Sequence, residues 1–233
     1  FDMGFYPDIK KIFRFLPDKS KRQTLLFSAT LEMRVRQLAW EFMNEPAEID
    51  LEPDRITVES ITQELYHVAK SDKFGLLLQL LASEKPEFAL IFTNSRYMAE
   101  ELCSRLRLNG YNSDYLTGDL PQNQRQKALD KLKEGKTNLL VATDVAARGL
   151  QINDLPLVVN YDIPEDYENY VHRIGRTARA GKSGKAITLA DEEFVYGLEA
   201  IEKYIKMKIP VIWPDNLPEI EDKSIGERWH SRP

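Results

Sequence analysis

Short apolar runs alternate along the chain with amphipathic stretches. Apolar runs bounded by polar turns predict strands, and apolar residues spaced three and four apart predict helices. The predicted strands cover residues 24–28, 64–68, 89–93, 114–117, 139–143, 157–161 and 186–190. The predicted helices cover residues 34–43, 73–83, 97–109, 122–134, 167–174 and 192–205. Several of these strands are apolar throughout, so the pattern predicts an α/β fold with helices on both faces of a parallel sheet.

The alternation stops at residues 51–62 (LEPDRITVESIT), which are polar and aperiodic and are predicted to form a linker. Residues 63–213 hold a complete set of strands and helices, and are predicted to form one α/β domain. Residues 1–50 supply only a helix, a strand and a helix, too little for a sheet with a core, so we expect them to end another domain. Residues 214–233, rich in proline and charge, are predicted to be extended or disordered.

Composition narrows the class of protein. Of the 233 residues 42% are hydrophobic and 30% charged, which is ordinary for a soluble globular chain. No apolar run approaches the roughly 18 residues of a membrane span, and Phe1 is not followed by a signal peptide, so we expect a cytoplasmic protein. The single cysteine, Cys103, lies in a helical pattern and is expected to be buried. Three histidines without ligand spacing argue against a metal site.

A positive stretch stands out in a chain whose formal net charge is -5. The charged residues from position 173 to 185 are Arg173, Arg176, Arg179, Lys182 and Lys185. If residues 172–181 (HRIGRTARAG) are helical, the arginines lie near one face and repel each other, so an anion is expected there. A solvated basic face or a structural ion pair is the alternative, and a solvated loop is the favoured interpretation of the two lysines.

Polar clusters follow five of the predicted strands. They occupy residues 28–30, 93–95, 117–119, 143–144 and 160–162. Ligands of open α/β sheets bind beyond the carboxyl ends of the strands. Each cluster alone is explained by turn formation or helix capping. Five of them together with the arginines favour a polyanion site.

Several of these strand ends and the basic stretch belong to short sequence motifs that occur together in a known family. The motifs are SAT at 28–30, LIFTNS at 90–95, QNQR at 122–125, VATDVAARG at 141–149, NYDIP at 160–164 and HRIGRTARAG at 172–181. In this order they resemble the later motifs of DEAD-box RNA helicases, and FDMGF at 1–5 is similar to the segment after the DEAD box. The resemblance implies that 63–213 is the second of two RecA-like domains and that 1–50 ends the first.

The resemblance also implies what this chain does not supply. The sequence holds no G-x-x-x-x-G-K-[ST] motif and no DEAD tetrapeptide. In the family these motifs of the first domain hold ATP with Mg, so we expect the chain alone neither to bind ATP well nor to hydrolyse it.

The resemblance implies roles in ATP binding for individual residues of this chain, one matching position at a time. Arg176 and Arg179 match the arginine fingers that face ATP. His172 matches the histidine that couples the ATP site to Ser28 and Thr30, although Thr30 could also be a plain helix N-cap.

The end of the fourth family motif and the segment just after it add three positions. Arg148 and Gly149 match the ARG triplet, in which the arginine links the RNA and ATP sites and the glycine approaches the nucleotide. Gln151 stands where the family usually has an aspartate that contacts the ATP ribose. A glutamine can still bind a hydroxyl but lacks the charge that strengthens the bond.

Six further residues match positions that contact RNA: Thr93, Asn94, Ser95, Gln122, Arg125 and Thr143. Contacts to phosphates and 2′-hydroxyls carry no base information, which implies RNA binding without sequence specificity. Surface solvation remains an alternative for Arg125.

The expected function is the C-terminal portion of an ATP-dependent RNA helicase that unwinds short duplexes. Residues 192–211 further resemble the RhlB-like subgroup of RNA-degradosome helicases, which implies RNase E as a partner and RNA degradation as the setting. A non-catalytic RecA-like adaptor for RNA or protein is one alternative. A DNA helicase of the same superfamily is the other.

Overall fold

The structure is a computed structural model that describes residues 6–28, 33–49, 61–148, 152, 154–178 and 184–227. The chain divides into two compact units, Phe1–Pro53 and Asp54–Pro233. The predicted linker, 51–62, lies outside the described residues except for its last two, which begin the first strand. Its interpretation as a linker therefore stays a prediction.

The first unit is a small helical assembly. Its elements are helix α1 (Tyr6–Arg14), a 3₁₀ turn (Lys19–Lys21) and helix α2 (Met33–Phe42). The ring of Phe13 stacks on Phe42 with centroids 4.2 Å apart, and Arg22 Nη2 donates to the Phe42 carbonyl at 2.8 Å. The predicted strand at 24–28 is wrong: a strand needs a hydrogen-bonded neighbour, and the described residues of this unit contain no other extended segment paired with it.

The second unit contains the parallel sheet. Its strands are β1 (Ile61–His67), β2 (Ala89–Thr93), β3 (Ser113–Leu116), β4 (Leu139–Thr143), β5 (Leu157–Asn160) and β6 (Gly184–Ala190). Its helices are α3 (Lys73–Glu84), α4 (Arg96–Leu108), α5 (Gln122–Lys133), α6 (Asp144–Ala147), α7 (Tyr167–Ile174) and α8 (Leu198–Ile205). The strand order is β1-β6-β5-β2-β4-β3, and every pair is parallel. The α/β prediction is confirmed.

Burial explains why the central strands carry no polar alternation. Every residue of β2 and β4 is buried. One face of the sheet packs on α3 and α4 through residues such as Leu77 and Leu102, and another apolar cluster packs on α5 through Leu132. A strand with both faces covered gains from apolar residues at every position. The predicted helix at 192–205 is shorter than expected: a 3₁₀ turn, Val195–Gly197, precedes α8.

The outer edge of β1 is paired at Leu65 with the chain that follows α8. The Leu65 amide donates to the Pro210 carbonyl at 2.8 Å, and the Ile212 amide donates to the Leu65 carbonyl at 2.8 Å. Further on, Arg105 Nη2 of α4 donates to Asp222 Oδ2 at 2.8 Å. Residues 222–224 are thus attached to the domain by an ion pair that composition does not reveal. The prediction that 214–233 is extended or disordered stays a prediction.

Lys185 is also placed differently from its prediction. It lies in β6, and its Nζ is 2.8 Å from Glu64 Oε1 and 2.5 Å from Glu84 Oε1. The interpretation as a solvated loop residue is therefore wrong. Lys182 lies outside the described residues.

Candidate functional site

The carboxyl ends of β5, β2 and β4 lie side by side. The segments that follow these strands begin with Tyr161, Asn94 and Asp144. Helix α7 contributes side chains to the same edge, as the hydrogen bonds of Arg173 to Asn94 and Asp144 show. The topology thus brings together three of the polar clusters that the sequence separates by up to about 70 positions.

Arg173 has an anion of its own inside the protein. Its Nε donates to Asp144 Oδ1 and its Nη2 to Asp144 Oδ2, both at 2.7 Å. Its Nη1 donates to the Asp162 carbonyl at 2.6 Å, and its guanidinium lies 5.0 Å from the centre of the Phe92 ring. The side chain is only 1% exposed, and a buried guanidinium requires this degree of pairing.

Residues 172–181 do not form one helix, which was the condition for placing the three arginines near one face. Helix α7 ends at Ile174, and Gly175 caps it, so Arg176 follows the helix rather than lying on it. Arg179 lies outside the described residues. The structural ion pair, one of the alternatives for this stretch, is the observed state of Arg173.

A cleft opens beside this ion pair. Arg148, His172 and Arg176 line it, together with Asp144 and Asn169. Arg148 Nη2 donates to Asn169 Oδ1 at 3.1 Å, and Arg176 Nη2 reaches the Ala147 carbonyl at 3.3 Å. The cleft has a cavity volume of about 20 Å³, enough for a water molecule but far too small for a nucleotide.

The backbone of Arg176 is held firmly. Its carbonyl accepts a hydrogen bond from the Leu155 amide at 3.1 Å, and the next residue, Thr177, is fully buried and donates its hydroxyl to the Leu155 carbonyl. A Cβ on Gly184 would lie 1.8 Å from Thr177 Oγ1, so only glycine allows β6 to pass this close. The half-buried Arg176 side chain therefore starts from a fixed position at the cleft.

The turn after β2 contains three of the predicted RNA contacts. Thr93 is fully buried, and its hydroxyl donates to the Ser95 carbonyl at 3.2 Å. Ser95 is exposed and caps α4 by accepting a hydrogen bond from the Met98 amide at 3.0 Å. Asn94 is half-buried and already bonded at both ends of its amide: Nδ2 donates to the Ile163 carbonyl and Oδ1 accepts from Arg173.

Gln122 and Arg125 lie in the first turn of α5, as the sequence predicts. Arg125 Nη2 donates to the Ala146 carbonyl at 2.9 Å, which ties the start of α5 to α6. Its Nη1 lies 3.5 Å from Gln122 Oε1. Thr143 is buried at the end of β4 and occupies the N-cap position of α6.

Four predicted site residues lie outside the described residues: Thr30, Gly149, Gln151 and Arg179. Ser28 is the last described residue before a gap in the first unit, and its side chain is exposed. The roles assigned to these five positions, like those of the described site residues, stay predictions.

The sequence did not single out the buried acids and the lysine that organise this edge. Asp144 and Asp162 were visible only as members of strand-end clusters. Lys73, the first residue of α3, had no signal at all, yet its Nζ lies 2.9 Å from Asp162 Oδ1 and 2.5 Å from Asp191 Oδ2. Burial alone would raise the pKa of Asp191, but hydrogen bonds from Lys73 and from two backbone amides hold that pKa below its usual value.

The described ranges also bear on metal binding and on membrane insertion. Among those residues, no group of three or more histidine, cysteine, aspartate or glutamate side chains is arranged to hold a metal ion. Within the same ranges, every helix is too short or too polar to span a bilayer.

Residues 72–181 match the family described as the helicase conserved C-terminal domain. A curated relative from Shewanella putrefaciens, named ATP-dependent RNA helicase RhlB, is 46% identical over 222 residues. The match covers 95% of this chain and 51% of the relative, so the chain spans about half the length of the curated relatives it matches.

Two solved structures extend the comparison. The Escherichia coli DEAD-box protein SrmB, bound to regulator of ribonuclease activity A, is 38% identical with a TM-score of 0.63, covering 69% of this chain and 96% of that one. Saccharomyces cerevisiae Dbp5, bound to RNA and ADP BeF3, is 33% identical with a TM-score of 0.78, covering 91% of this chain and 56% of that one.

The parallel sheet and its arginine-lined edge define a RecA-like helicase C-terminal domain. The chain belongs to the DEAD-box family, since it covers almost all of a DEAD-box structure at 38% identity.

Proposed function

We propose that this chain is the C-terminal portion of an ATP-dependent RNA helicase that locally unwinds RNA duplexes. One observation carries the proposal: Arg148, His172 and Arg176 line a single cleft at the carboxyl edge of a RecA-like sheet. The curated relatives that match nearly the whole chain are named ATP-dependent RNA helicases. An adaptor without catalytic activity is not favoured by those relatives.

Arg176 fits the role of an arginine finger. A guanidinium keeps its charge at all physiological pH values and matches phosphate oxygens with paired N–H groups. Its fixed backbone limits the entropy lost when the side chain engages the γ-phosphate. In other nucleotide hydrolases such a residue contributes roughly 10³–10⁵ in rate. Arg179 is proposed as the second finger.

The bulk of the ATP site is assigned to the other RecA-like domain. The cleft is too small to enclose a nucleotide, which supports a contribution from one side only. We assign Mg and most phosphate contacts to that domain, together with residues 1–50 as its last part and 51–62 as the linker. Exposed apolar side chains in the first unit, such as Phe15, Phe27 and Trp40, support its origin in a larger packed domain.

RNA is proposed to cross the same edge of the sheet. The exposed Ser95 follows β2, and the half-buried Arg125 donates to the Ala146 carbonyl of α6, the helix that follows β4. The exposed Gln122 lies beside Arg125 in the first turn of α5. Such side chains and nearby backbone amides suit phosphates and 2′-hydroxyls, so binding is expected without sequence preference. The proposed setting, cytoplasmic RNA turnover with RNase E as a partner, rests on the resemblance to RhlB-like proteins.

The test uses the full-length product of the gene and the substitution Arg176→Ala. We expect RNA-stimulated ATP hydrolysis to fall by about 10³-fold, because a charge on the transferred phosphate loses its partner. RNA binding without nucleotide should change little. The measurement is ATP turnover as a function of RNA concentration.

The matched control is Arg107→Ala, which removes a half-exposed arginine paired with Asp114 at the amino end of the sheet. It should keep its ATP turnover. Full RNA-stimulated turnover in Arg176→Ala would contradict the proposal. Equal stimulation by a DNA strand of the same sequence would instead favour the DNA helicase.

A further inference from the structure

Lys73 is a charged residue in the interior of the second unit. Its side chain is 2% exposed, and its Nζ lies between Asp162 and Asp191 and 4.7 Å from the centre of the Tyr161 ring. Taking an ammonium group out of water costs several kcal/mol, and apolar residues often replace buried ion pairs without loss of stability. Stability alone is therefore a weak reason for a lysine at this position.

Asp162 connects this lysine to the turn after β2. One carboxylate oxygen of Asp162 accepts from Lys73 at 2.9 Å, and the other accepts from the Asn94 backbone amide at 3.0 Å. The neighbouring Ile163 carbonyl accepts from Asn94 Nδ2 at 2.8 Å. The position of Asn94 thus depends on where the Asp162 carboxylate is held.

The same aspartate is joined to the arginine cleft. The Asp162 carbonyl accepts from Arg173 Nη1 at 2.6 Å, and Arg173 Nη2 donates to Asn94 Oδ1 at 3.0 Å. Arg173 in turn binds both oxygens of Asp144, which lines the cleft. An unbroken series of direct contacts therefore runs from Lys73 to the cleft and includes the turn.

We propose that Lys73 is a positioning residue, which holds the Asp162 carboxylate so that the turn 93–95 presents its groups to RNA in a fixed orientation. The RNA part of this role rests on the proposed function. The ammonium group is suited to the task because it balances two carboxylates, Asp162 and Asp191, that would otherwise repel each other in a poorly solvated interior.

The first experiment is independent of helicase activity. Hydrogen exchange of the Asn94 amide is measured by NMR in the 233-residue chain, unsubstituted and with Lys73→Met. We expect exchange at Asn94 to accelerate about tenfold, the size that weakening one hydrogen bond to a charged acceptor produces.

Lys185→Met is the matched control, because Lys185 is also held between two carboxylates, Glu64 and Glu84, but near the start of β6. It should leave Asn94 exchange unchanged. Equal exchange rates at Asn94 in Lys73→Met and Lys185→Met would overturn the proposal.

The second experiment measures RNA-stimulated ATP turnover in the full-length protein. Lys73→Met should raise the RNA concentration for half-maximal stimulation about tenfold and change the maximal rate much less, since the turn and not the arginine finger is displaced. Lys185→Met should shift neither value. An unchanged half-maximal concentration in Lys73→Met would overturn the role in RNA binding.

If Lys73→Met does not fold, Lys73→Met with Asp191→Asn leaves Asp162 as the only carboxylate of the Lys73 cluster and should show the same faster exchange at Asn94. Normal protection there would overturn the proposal. If the unsubstituted full-length protein shows no RNA stimulation, the proposed function fails, and the exchange comparison still decides whether Lys73 holds the turn.

Discussion

The two ends of the parallel sheet use the same chemistry in different surroundings. At the carboxyl end Lys73 bridges Asp162 and Asp191, and near the amino end Lys185 bridges Glu64 and Glu84. The Lys73 side chain is 2% exposed, whereas that of Lys185 is 23% exposed. Both lysines contact two carboxylates at similar distances, so the two clusters differ mainly in how far their lysine is exposed to solvent.

The carboxyl-end charges also form a connected set. Asp162 links Lys73 to Arg173, and Arg173 links Asp162 to Asp144. At the amino end, Arg107 and Lys131 both pair with Asp114 near the surface. Ion pairs in contact with water contribute little, whereas one partner removed from a buried pair leaves an uncompensated charge. The carboxyl end should therefore be sensitive to single substitutions and the amino end tolerant of them.

The largest effect is expected from Arg173→Met. The substitution leaves Asp144 without its two guanidinium hydrogen bonds and deprives the Asp162 carbonyl of its donor. Breaking a buried pair in this way costs about 3–5 kcal/mol. Urea denaturation followed by circular dichroism measures the change in the free energy of unfolding. A loss under about 1 kcal/mol would show that the carboxyl-end network is no more sensitive than a surface pair.

An intermediate effect, dependent on pH, is expected at Asp222. Burial alone would raise the pKa of Asp222, but hydrogen bonds from Ser224, Asn109 and Arg105 outweigh it and lower the pKa to about 2. The folded pKa lies below the unfolded one, so the stabilisation is complete above pH ~4 and is lost as the pH falls towards 2. Its full size is about 2 kcal/mol.

Asp222→Asn tests this directly. At pH 7 the variant should be less stable than the parent chain by up to about 2 kcal/mol, and the difference should shrink as the pH falls from about 4 to 2. Urea midpoints of both chains across this range provide the measurement. A difference that stays constant with pH would mean that the carboxylate charge has no part in attaching residues 222–224.

The smallest effect is expected from Lys131→Met. The Lys131 side chain is 51% exposed, and its partner Asp114 keeps Arg107. The free energy of unfolding should change by no more than about 0.5 kcal/mol. The same urea series detects it, and a loss as large as that of Arg173→Met would remove the contrast between the two ends of the sheet.

Much of the second unit could be predicted from the sequence. The buried strands β2 and β4 have the bounds that their apolar runs indicate, and α7 begins and ends where expected. The run of apolar residues is enough to locate these strands, because both of their faces are covered and every position is therefore apolar or buried. The strand predicted at 24–28 failed, since strand formation depends on a neighbour that local pattern does not supply.

The candidate site was predictable only in part. The strand-end positions of Asn94 and Thr143 follow from their apolar strands. The different environments of Arg173 and Arg176 do not: Arg173 is buried against Asp144, whereas Arg176 is half-buried at the cleft, although both belong to one basic motif. A charged side chain can be buried only where a partner neutralises it, and the partner of Arg173, Asp144, lies 29 positions away in the sequence. The periodicity of apolar residues does not reveal such distant pairs.

The pairing of β1 with residues 210–212 has a consequence for association between molecules. An open strand edge offers unpaired amides and carbonyls to any other extended chain, and so promotes aggregation. Leu65 has both of its outward backbone groups bonded to that segment. The opposite edge, β3, is four residues long and carries Asp114 with its two cations. One margin of the sheet is thus paired at Leu65, and the other is short and charged; both features disfavour the addition of a further strand.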